Sequence, residues 1–265
     1  MKVGFIGAGN MAKAILSGIS KSNIIDKNDI FVSNKHKAKL ELINKEFGYY
    51  VTTDNGEVFV KAKDIIFLCV KPQIFDEISS ELKEFVTKDQ IIVSIMAGKS
   101  ISYLENALGT NKIVRVMPNT PALIGAGISA VSASEETKKL KNYKMILEIL
   151  SVIGEKEEVP EKYINAITQI SGASPAFMFM MIEALTDGGV LCGLPLDTAY
   201  KFAAHAMYGS GKLMVDESLH PGIYKDMVIS PAGTTIEGVK VLEEKGFRGA
   251  IIDAIDAAYK KSLKL

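Results

Sequence analysis

The stretch Val3-Gly4-Phe5-Ile6-Gly7-Ala8-Gly9-Asn10-Met11-Ala12 decides the fold of the N-terminal half. Its apolar run breaks into Gly7-x-Gly9-x-x-Ala12, and apolar residues at helical spacing follow. This order predicts a strand, a tight turn and a helix N-terminus, which is the dinucleotide-binding arrangement in its G-x-G-x-x-A form. Gly7 permits the turn, Gly9 admits a pyrophosphate, and the first N–H groups of the helix face the phosphates. A bare tight turn is the alternative, and the strand–helix context favours cofactor binding.

The composition limits the classes of protein to which the chain can belong. The chain has 265 residues, enough for one large or two ordinary domains, with 48% hydrophobic and 23% charged residues and a mean hydropathy of +0.17. Lys+Arg and Asp+Glu are both 31, so the formal net charge is zero. A neutral balance argues against nucleic acid or an anionic membrane surface as the main partner.

Cysteine usage and the chain start indicate a cytoplasmic setting. Cys69 and Cys192 are the only cysteines, and no C-x-x-C motif or Cys/His cluster is present, so neither a disulfide framework nor a metal site is expected. Met1-Lys2 leads directly into the first predicted strand, which leaves no room for a signal peptide. Charged residues interrupt the longest apolar stretches, so no membrane span is predicted.

Strands and helices alternate up to about residue 160, which predicts a doubly wound α/β sheet of the Rossmann type. Continuous apolar runs are typical of strands buried on both faces of a parallel sheet. After the first strand, the predicted strands are Ile30–Val32, Ile65–Val70, Ile91–Ile95, Ile113–Val116, Ile128–Val131 and Gly154–Val159. The predicted helices are a first helix ending near Ser20, then Lys37–Phe47, Ile101–Leu108 and Glu135–Leu150.

The second half has an all-α pattern. The predicted helices are Tyr163–Cys192, Leu196–Glu217, Ile223–Ile229, Thr235–Lys245 and Arg248–Leu263. Residues 177–182 are apolar on every side of their helix, which therefore has to be covered all round. Because a domain of about a hundred residues can hardly do this alone, we expect helices of a second subunit to cover it. We thus expect an NADP-binding domain over residues 1–160 and an α-helical substrate and dimerisation domain over residues 161–265.

The end of the second strand indicates which nucleotide binds. An NAD site usually places Asp or Glu there, about twenty residues beyond the glycine motif. The sequence is Ser33-Asn34-Lys35-His36-Lys37, which offers hydroxyl, amide and cationic groups and no acid. These groups suit a 2′-phosphate, so NADP is favoured over NAD. The alternative is a solvated loop before a lysine-rich helix.

Three further strand ends carry turn residues and are expected at the same edge of the sheet. They are Val70-Lys71-Pro72-Gln73, Ala97-Gly98 and Met117-Pro118-Asn119-Thr120-Pro121. Pro72 is interpreted as ending its strand where a loop turns over the nucleotide, and the small Ala97 and Gly98 allow backbone to approach the nicotinamide ribose. Each is an ordinary loop when taken alone, and together they predict a site.

A second stretch whose residue types suit a binding site is Ser230-Pro231-Ala232-Gly233-Thr234-Thr235. Pro231 and Gly233 predict a rigid turn, and Thr234 or Thr235 is expected to cap the following helix. The N–H groups at that N-terminus would form a seat for a carboxylate. A plain helix cap is the alternative.

At this point the chain resembles the pyrroline-5-carboxylate reductase family essentially from end to end. The N-terminal likeness lies in Gly4 to Met11, Val70-Lys71-Pro72-Gln73 and Arg115 to Pro121. The C-terminal motifs are Ser171-Gly172-Ala173-Ser174-Pro175-Ala176, Glu183-Ala184-Leu185, Asp187-Gly188-Gly189-Val190, Ser230 to Ile236, Leu242-Glu243 and Gly246-Phe247-Arg248. Ser174 and Ala232 depart from the family by replacing frequent glycines, which puts loop detail in doubt rather than activity.

The resemblance implies reduction of L-1-pyrroline-5-carboxylate to L-proline by NADPH, with NADH as a poorer donor. It places the substrate between the two domains of a dimer, with its carboxylate on the backbone of the turn at Ser230, Gly233, Thr234 and Thr235. Thr235 hydrogen-bonds the ring nitrogen. The family is at least dimeric and often forms a ring of five dimers. The cofactor residues that the resemblance implies are Ile6, Gly7, Ala8, Gly9, Asn10, Met11, Ser33, Asn55, Val70, Lys71, Pro72, Ile95, Met96 and Ala97. The chemistry of the strand-end loops adds Asn34, Lys35 and Gly98 to this expected set.

Two rival functions stay open on the residues alone. The similar β-hydroxyacid dehydrogenases use a lysine on the long helix to move the alcohol proton, and residues 173–192 contain no lysine. A cyclic imine can arrive already protonated, so this absence favours an imine over an alcohol. The other rival is a non-catalytic protein that binds a nucleotide or vitamin B6, and the intact Ser230–Thr235 turn argues against it.

Overall fold

The computed structural model describes residues 1–263. They form two compact units, one of Met1–Gly172 with residues 262–263 and the other of Ala173–Lys261. We call them the first and the second unit. Positions 264 and 265, the end of the expected second domain, lie outside the described residues.

The first unit is built on one sheet of eight strands in the order β3-β2-β1-β4-β5-β6-β7-β8, counted within residues 1–263. Every neighbouring pair is parallel except β6 and β7, which are antiparallel. This sheet confirms the predicted doubly wound α/β fold. The strands are β1 (Val3–Ile6), β2 (Ile30–Ser33), β3 (Tyr50–Thr52), β4 (Ile65–Leu68), β5 (Ile91–Ser94), β6 (Ile113–Met117), β7 (Gly127–Ala133) and β8 (Gly154–Glu158).

Helices cover both faces of this sheet. They are α1 (Asn10–Ser22), α2 (Lys37–Phe47), α3 (Asn55–Lys61), α4 (Pro72–Phe85), α5 (Ile101–Leu108), α6 (Glu135–Lys138), α7 (Lys141–Ser151) and α8 (Ile164–Ile167). One core lies between the sheet and α1, α2 and α7, where Phe5 and Phe67 stack with ring centroids 4.8 Å apart. The other core lies under α3, α4 and α5 and contains Phe75 and Leu82. The strands β1, β2, β4, β5 and β6 are therefore buried on both faces, as their apolar runs predict, whereas β3 and β8 are at most partly buried.

The register of the parallel strands positions the site. Ile6 is level with Ser33 on one side and with Leu68 on the other, and Leu68 is level with Ser94. The loops that follow β1, β2, β4 and β5 therefore leave the sheet at one edge. In open α/β sheets this carboxyl edge is where ligands bind.

Three elements of the first unit, β3, α3 and α4, were not predicted, and one predicted helix is wrong as a single element. β3 has only three residues, none fully buried, so it lacks an apolar run. Helix α3 begins after Asp54, whose carboxylate accepts a hydrogen bond from the amide of Glu57. The predicted helix Glu135–Leu150 is divided into α6 and α7 because Leu140 has extended backbone, with φ −70° and ψ 140°.

The second unit is all α, as predicted. Its helices are α9 (Ser174–Leu191), α10 (Leu196–Glu217), α11 (Pro221–Val228), α12 (Thr234–Glu244) and α13 (Phe247–Ser262). Helices α9 and α10 approach closely, because a Cβ added at Gly189 would lie 2.9 Å from the Cβ of Ala199. Within the described residues of these helices, only Thr186, Ala199 and Ala203 are buried.

The predicted helix Tyr163–Cys192 is confirmed as helical over almost its whole length, but it is not one regular α-helix. The chain instead forms a 3₁₀ turn (Glu161–Tyr163), helix α8, a π-helical segment (Thr168–Ala173) and then α9. Pro175 lies in the first turn of α9. A proline there has no N–H for the preceding turn and its ring crowds the carbonyl four residues earlier, which explains a break at this point. The π-helical segment spans the boundary between the two compact units.

Candidate functional site

The β1–α1 turn has the geometry of a phosphate-binding turn. Gly7 has φ +104°, and a Cβ added there would lie 2.6 Å from the carbonyl oxygen of Cys69. Its amide donates a hydrogen bond of 2.8 Å to the carbonyl oxygen of Ser33. Gly7 therefore closes the turn against both neighbouring strand ends. Any side chain at this position would collide with the β4 backbone.

The N-terminus of α1 is open to an anion. Gly9 is the cap residue, and within the described residues neither a side-chain cap nor an acidic residue in the first turn competes for the free N–H groups. A Cβ added at Gly9 would have only the Cys69 carbonyl oxygen within 4 Å, at 3.9 Å, so there is space beside this backbone. Free N–H groups and the positive end of the helix dipole favour a phosphate here.

A cleft of about 420 Å³ opens at this edge of the sheet. It contains backbone of the turn, several cationic side chains and two apolar residues of α4. Its lining residues are Ile6, Gly7, Ala8, Gly9, Asn34, Lys35, His36, Lys39, Asn55, Cys69, Val70, Lys71, Ile74 and Ile78. The structure thus brings together nine of the expected cofactor residues, namely Ile6, Gly7, Ala8, Gly9, Asn34, Lys35, Asn55, Val70 and Lys71.

The remaining expected cofactor residues lie outside this lining. Asn10 and Met11 form the first turn of α1, and Pro72 is the first residue of α4 rather than the end of a strand. Ser33 is fully buried, and its hydroxyl donates a hydrogen bond of 2.7 Å to Oδ1 of Asn55. The Ser33 side chain therefore acts on the cleft by orienting Asn55.

Five cleft residues were not among the sequence-based candidates: His36, Lys39, Cys69, Ile74 and Ile78. Lys39 lies one helical turn beyond Lys35, so the charge of α2 continues the charge of the preceding loop. The signal in the sequence that points to Lys39 is its position four residues after Lys35. Burial raises the pKa of the Cys69 thiol, which keeps it neutral at physiological pH.

The expected loop after β5, Ile95–Gly98, continues the same edge of the sheet. The amide of Ile95 donates to the Leu68 carbonyl at 3.3 Å, and Met96 is buried. Gly98 has φ +77°, which redirects the chain toward α5. This loop is therefore anchored to β4, the strand that precedes Cys69.

A small ion-pair cluster fastens the end of this loop to α4. The Lys99 ammonium lies 2.8 Å from Oδ2 of Asp76, and the Tyr103 hydroxyl donates to Oδ1 of Asp76 at 2.6 Å. The Lys99 ammonium also lies 4.3 Å from the centroid of the Tyr103 ring. The hydrogen bond from Lys99 lowers the pKa of the Asp76 carboxyl and raises the pKa of Lys99, so both stay charged.

The loop after β6 has a structural role. Asn119 is buried, and its Oδ1 accepts a hydrogen bond of 2.9 Å from the amide of Ile128. The next residues form a 3₁₀ turn, Thr120–Ile124, which Pro121 helps to start. Asn119 therefore joins this turn to β7, and its amide is engaged within the protein.

The turn Ser230–Thr235 of the second unit is compact and exposed. The Gly233 amide donates to the Ser230 carbonyl at 3.0 Å, and a Cβ added at Gly233 would lie 2.3 Å from the Ser230 hydroxyl oxygen. Ala232 has a left-handed backbone with φ +58°, the conformation that suits the glycine frequent in the family. A Cβ at position 233 would therefore have to displace the Ser230 hydroxyl, and the turn holds Ala232 under strain.

The prediction that Thr234 or Thr235 caps α12 is wrong. Gly233 occupies the cap position, and within the described residues no side chain caps the helix. Thr234 and Thr235 are instead the first two helical residues, and both are exposed. The free N–H groups of this first turn remain available to a carboxylate.

Residues 1–263 contain neither a membrane-spanning helix nor a metal-binding cluster. Every helix within residues 1–263 is too short or too polar to cross a lipid bilayer. The same residues contain no group of three or more His, Cys, Asp or Glu side chains that could hold a metal ion.

Fold and cleft together define a class, the Rossmann-type oxidoreductases that use a nicotinamide dinucleotide. Residues 2–98 match the family described as "NADP oxidoreductase coenzyme F420-dependent". Residues 161–265 match the family described as "Pyrroline-5-carboxylate reductase dimerisation". The second match explains the exposed apolar helices, because this part of the chain is a dimerisation domain.

Full-length relatives identify the family within this class. The chain is 44% identical to pyrroline-5-carboxylate reductase of Escherichia coli over 100% of this chain and 98% of that protein. It is 40% identical to the enzyme of Methanosarcina acetivorans, covering 100% and 97%. The chain belongs to the pyrroline-5-carboxylate reductase family and is an oxidoreductase, which confirms the resemblance predicted from the sequence.

Solved structures agree with this assignment. The Coxiella burnetii pyrroline-5-carboxylate reductase superposes with a TM-score of 0.89 at 31% identity, covering 99% of this chain and 97% of that chain. The Plasmodium falciparum pyrroline carboxylate reductase, solved with NADP bound, gives 0.88 at 30% identity, covering 100% and 97%. The NADP-bound relative and the NADP oxidoreductase match confirm NADP as the cofactor class.

Proposed function

We propose that this chain reduces L-1-pyrroline-5-carboxylate to L-proline, the final step of proline biosynthesis, with NADPH as the preferred donor. The observation that carries the proposal is the cleft at the N-terminus of α1, and the exposed first turn of α12 offers a second place for an anion. The N-terminus of α1 lies in the cationic cleft, and the N-terminus of α12 follows the Ser230–Thr235 turn. The cofactor residues belong to the first unit and the substrate turn to the second, so the reaction needs both.

The cleft fits a dinucleotide phosphate. Gly7 leaves room where a Cβ would collide with Cys69, and the first turn of α1 offers N–H groups to the pyrophosphate. Asn55, held by Ser33, also lines the cleft. When bound, the nicotinamide supplies the hydride that reaches the C=N carbon of the substrate. Ile95, Met96, Ala97 and Gly98 extend this site along the sheet edge.

Lys35 and Lys39 favour NADPH over NADH. Both lie in the cleft at the end of β2, where an acidic residue would hold the ribose hydroxyls of NAD. Two ammonium groups, one in the loop after β2 and one in the first turn of α2, instead attract the 2′-phosphate. NADH lacks that phosphate and therefore binds through the remaining contacts only.

The turn at Ser230, Gly233, Thr234 and Thr235 binds the substrate. The N–H groups of the first turn of α12, free of side-chain caps, donate hydrogen bonds to the carboxylate at the positive end of the helix. The Thr235 hydroxyl hydrogen-bonds the ring nitrogen and thereby fixes the face of the imine. Thr235 is the catalytic residue in this proposal, because it touches the reacting C=N group.

The reaction requires little acid–base chemistry from the protein. One NADPH and one proton reduce one imine to one amine, and the ring nitrogen can carry that proton on arrival. The chain then mainly orients two reactants to about 3–3.5 Å between reacting atoms. Helix α9 contains no lysine in Ser174–Leu191 to move an alcohol proton, which disfavours a β-hydroxyacid substrate.

The working assembly is at least a homodimer through residues 161–265, and a ring of five dimers is the larger assembly that we propose. Residues 1–160 form the NADP-binding domain in this assignment. The thiols Cys69 and Cys192 are both free. Free thiols suit a reducing cytoplasm, which we take as the compartment.

Steady-state oxidation of NADPH by the purified protein tests the function. We expect substrate-dependent loss of NADPH absorbance with pyrroline-5-carboxylate, slower turnover with NADH, and proline as the product. A panel of 3-hydroxyacids with NADP serves as the matched alternative. Turnover of a hydroxyacid, or binding of NADPH without any turnover, would overturn the proposal in favour of the two rival functions.

A further inference from the structure

Arg115 is a buried guanidinium in the middle of an otherwise apolar strand, β6. It is 3% exposed. Its Nη1 lies 3.0 Å from Oε1 of Glu161, and its Nη2 donates to Oδ1 of Asn165 at 3.0 Å. Its Nε is buried without a hydrogen-bond partner within residues 1–263. The two terminal nitrogens of this side chain therefore join β6 to Glu161 and Asn165.

Such an arrangement is costly for stability alone. Removing a charge from water costs several kcal/mol, and apolar replacements of buried ion pairs are often neutral or stabilising. The unpartnered Nε adds a desolvation penalty. A buried charge of this kind can fix one arrangement of the chain among several of similar packing. The position of Arg115 indicates which arrangement is fixed.

The Glu161 carboxylate also contacts the N-terminus of α5. The oxygen that pairs with Arg115, Oε1, also accepts a hydrogen bond of 2.7 Å from the amide of Ile101. Ile101 is the first residue of α5 and follows the Ile95–Gly98 loop by two residues. Glu161 therefore satisfies an N-terminal amide of α5 while it pairs with Arg115. We call Arg115, Glu161, Asn165 and the Ile101 amide the Arg115 cluster.

An apolar cluster joins the same two segments. Met117, two residues beyond Arg115 on the same face of β6, is buried with Ile164 of α8. Ala97, in the loop after β5, and Ile167 pack against this pair. The cofactor loop and the segment that leads into the helical domain are thus held together by both polar and apolar contacts.

We infer that Arg115 is a positioning residue for hydride transfer. Through Glu161 and Asn165 it holds the Ile95–Gly98 loop and the segment 161–165 in one fixed arrangement. The loop belongs to the nicotinamide side of the proposed site, and segment 161–165 leads along the chain to the domain that carries the substrate turn. This inference rests on the proposed function. Its consequence is that loss of Arg115 lowers kcat while NADPH affinity is kept, because the Gly7 turn and the cleft lysines are untouched.

The test compares Arg115→Met with wild type and with Lys138→Met, a control that removes a half-buried lysine paired with Glu135 and Glu158. In Arg115→Met we expect kcat to fall about tenfold to a hundredfold, as for a small misplacement of the reactants. The NADPH dissociation constant, from nucleotide fluorescence, should change by less than about threefold. Hydrogen exchange should accelerate in peptides covering 95–104 and 161–167 and stay unchanged in α1. Arg115→Lys keeps the charge and should restore part of kcat.

Glu161→Gln tests the same inference without emptying a buried site, because the Glu161 side chain is about one-third exposed. We expect a lower kcat, faster exchange at 95–104, and no further loss when Glu161→Gln is combined with Arg115→Met. Unchanged kcat in a folded Glu161→Gln, or additive losses in the double variant, would overturn the inference. If the wild type itself fails to reduce pyrroline-5-carboxylate, the proposed function fails, and hydrogen exchange alone then decides whether Arg115 couples the two segments.

Discussion

The two units differ in how much of their apolar surface the single chain covers. In the first unit, β1, β2, β4, β5 and β6 are buried along their whole length, and helices complete two cores. In the second unit, large apolar side chains of α9 and α10 such as Phe179 and Phe202 are 59% and 69% exposed. The same hydrophobic effect operates in both, so the second unit needs a surface that the single chain does not supply.

This difference separates two uses of apolar sequence. In the first unit, apolar runs build a self-contained platform whose strand ends hold a ligand. In the second unit, apolar residues all round α9 build an interface, in agreement with the match to the dimerisation family. The sharpest test makes matched substitutions at similarly exposed residues of the two units and compares their effects.

The largest effect is expected from a charge on α9. Phe179→Asp removes about 2 kcal/mol of apolar burial per copy. A symmetric dimer contains the change twice, so the dimer should weaken roughly a thousandfold and activity should fall with it. Leu42→Asp on α2 is the matched control, because Leu42 is 62% exposed in the first unit. Sedimentation velocity should show monomer for Phe179→Asp and dimer for Leu42→Asp. Equal assembly of both variants would contradict the comparison.

The next largest effect separates two glycines of the phosphate turn. Gly7→Ala forces a Cβ to within 2.6 Å of the Cys69 carbonyl oxygen, so we expect about 1–3 kcal/mol lower unfolding free energy and weak NADPH binding. Gly9→Ala meets no atom closer than 3.9 Å and should leave the melting temperature unchanged. Its methyl group should still weaken NADPH about tenfold by occupying the pyrophosphate path. Thermal melts and nucleotide titration measure both, and equal destabilisation would refute the distinct roles.

A third variant tests whether the exposed Ser230–Thr235 turn of the second unit binds substrate rather than another helix. Thr235→Val keeps the shape of the side chain and removes one hydrogen bond, about 1–3 kcal/mol. We expect kcat/KM for pyrroline-5-carboxylate to fall roughly ten- to a hundredfold, with NADPH binding and assembly unchanged. Thr87→Val, before β5 in the first unit, is the control. An unchanged kcat/KM would remove Thr235 from the reaction.

The smallest effect concerns the exposed cations of the first unit. Lys39→Ala removes one partly solvated charge, for which about 1 kcal/mol is expected. NADPH affinity should fall about fivefold and NADH affinity should stay the same. Lys45→Ala, in the last turn of the same helix, should change neither. Equal losses for both nucleotides would show that Lys39 does not recognise the 2′-phosphate.

The sequence predicts the platform well because its signals are strong and local. The Gly7 turn, the buried strands and the helix Lys37–Phe47 all follow from apolar periodicity and glycine chemistry. Short or irregular elements lack such signals. β3 has three residues, and the π-helical segment 168–173 lies in a largely apolar stretch where a wider turn leaves no distinct periodicity.

The site was only partly predictable for a similar reason. Residues in the turns after the strands, such as Gly7, Asn34 and Val70, are found by motif and loop chemistry. Ile74 and Ile78 reach the cleft from α4, one turn apart on its inner face, and read in sequence as ordinary core positions. Arg115 belongs to a recognisable family motif, but its pairing with Glu161 spans 46 positions and only the folded chain reveals it.

The most direct test of the proposed function is a single-turnover reaction with NADPH that carries deuterium at both C4 positions of the nicotinamide. We expect L-proline with one deuterium on the former imine carbon, detected by mass spectrometry, from the wild type and at a much lower rate from Thr235→Val. Unlabelled proline, or oxidised nucleotide without proline, would contradict it.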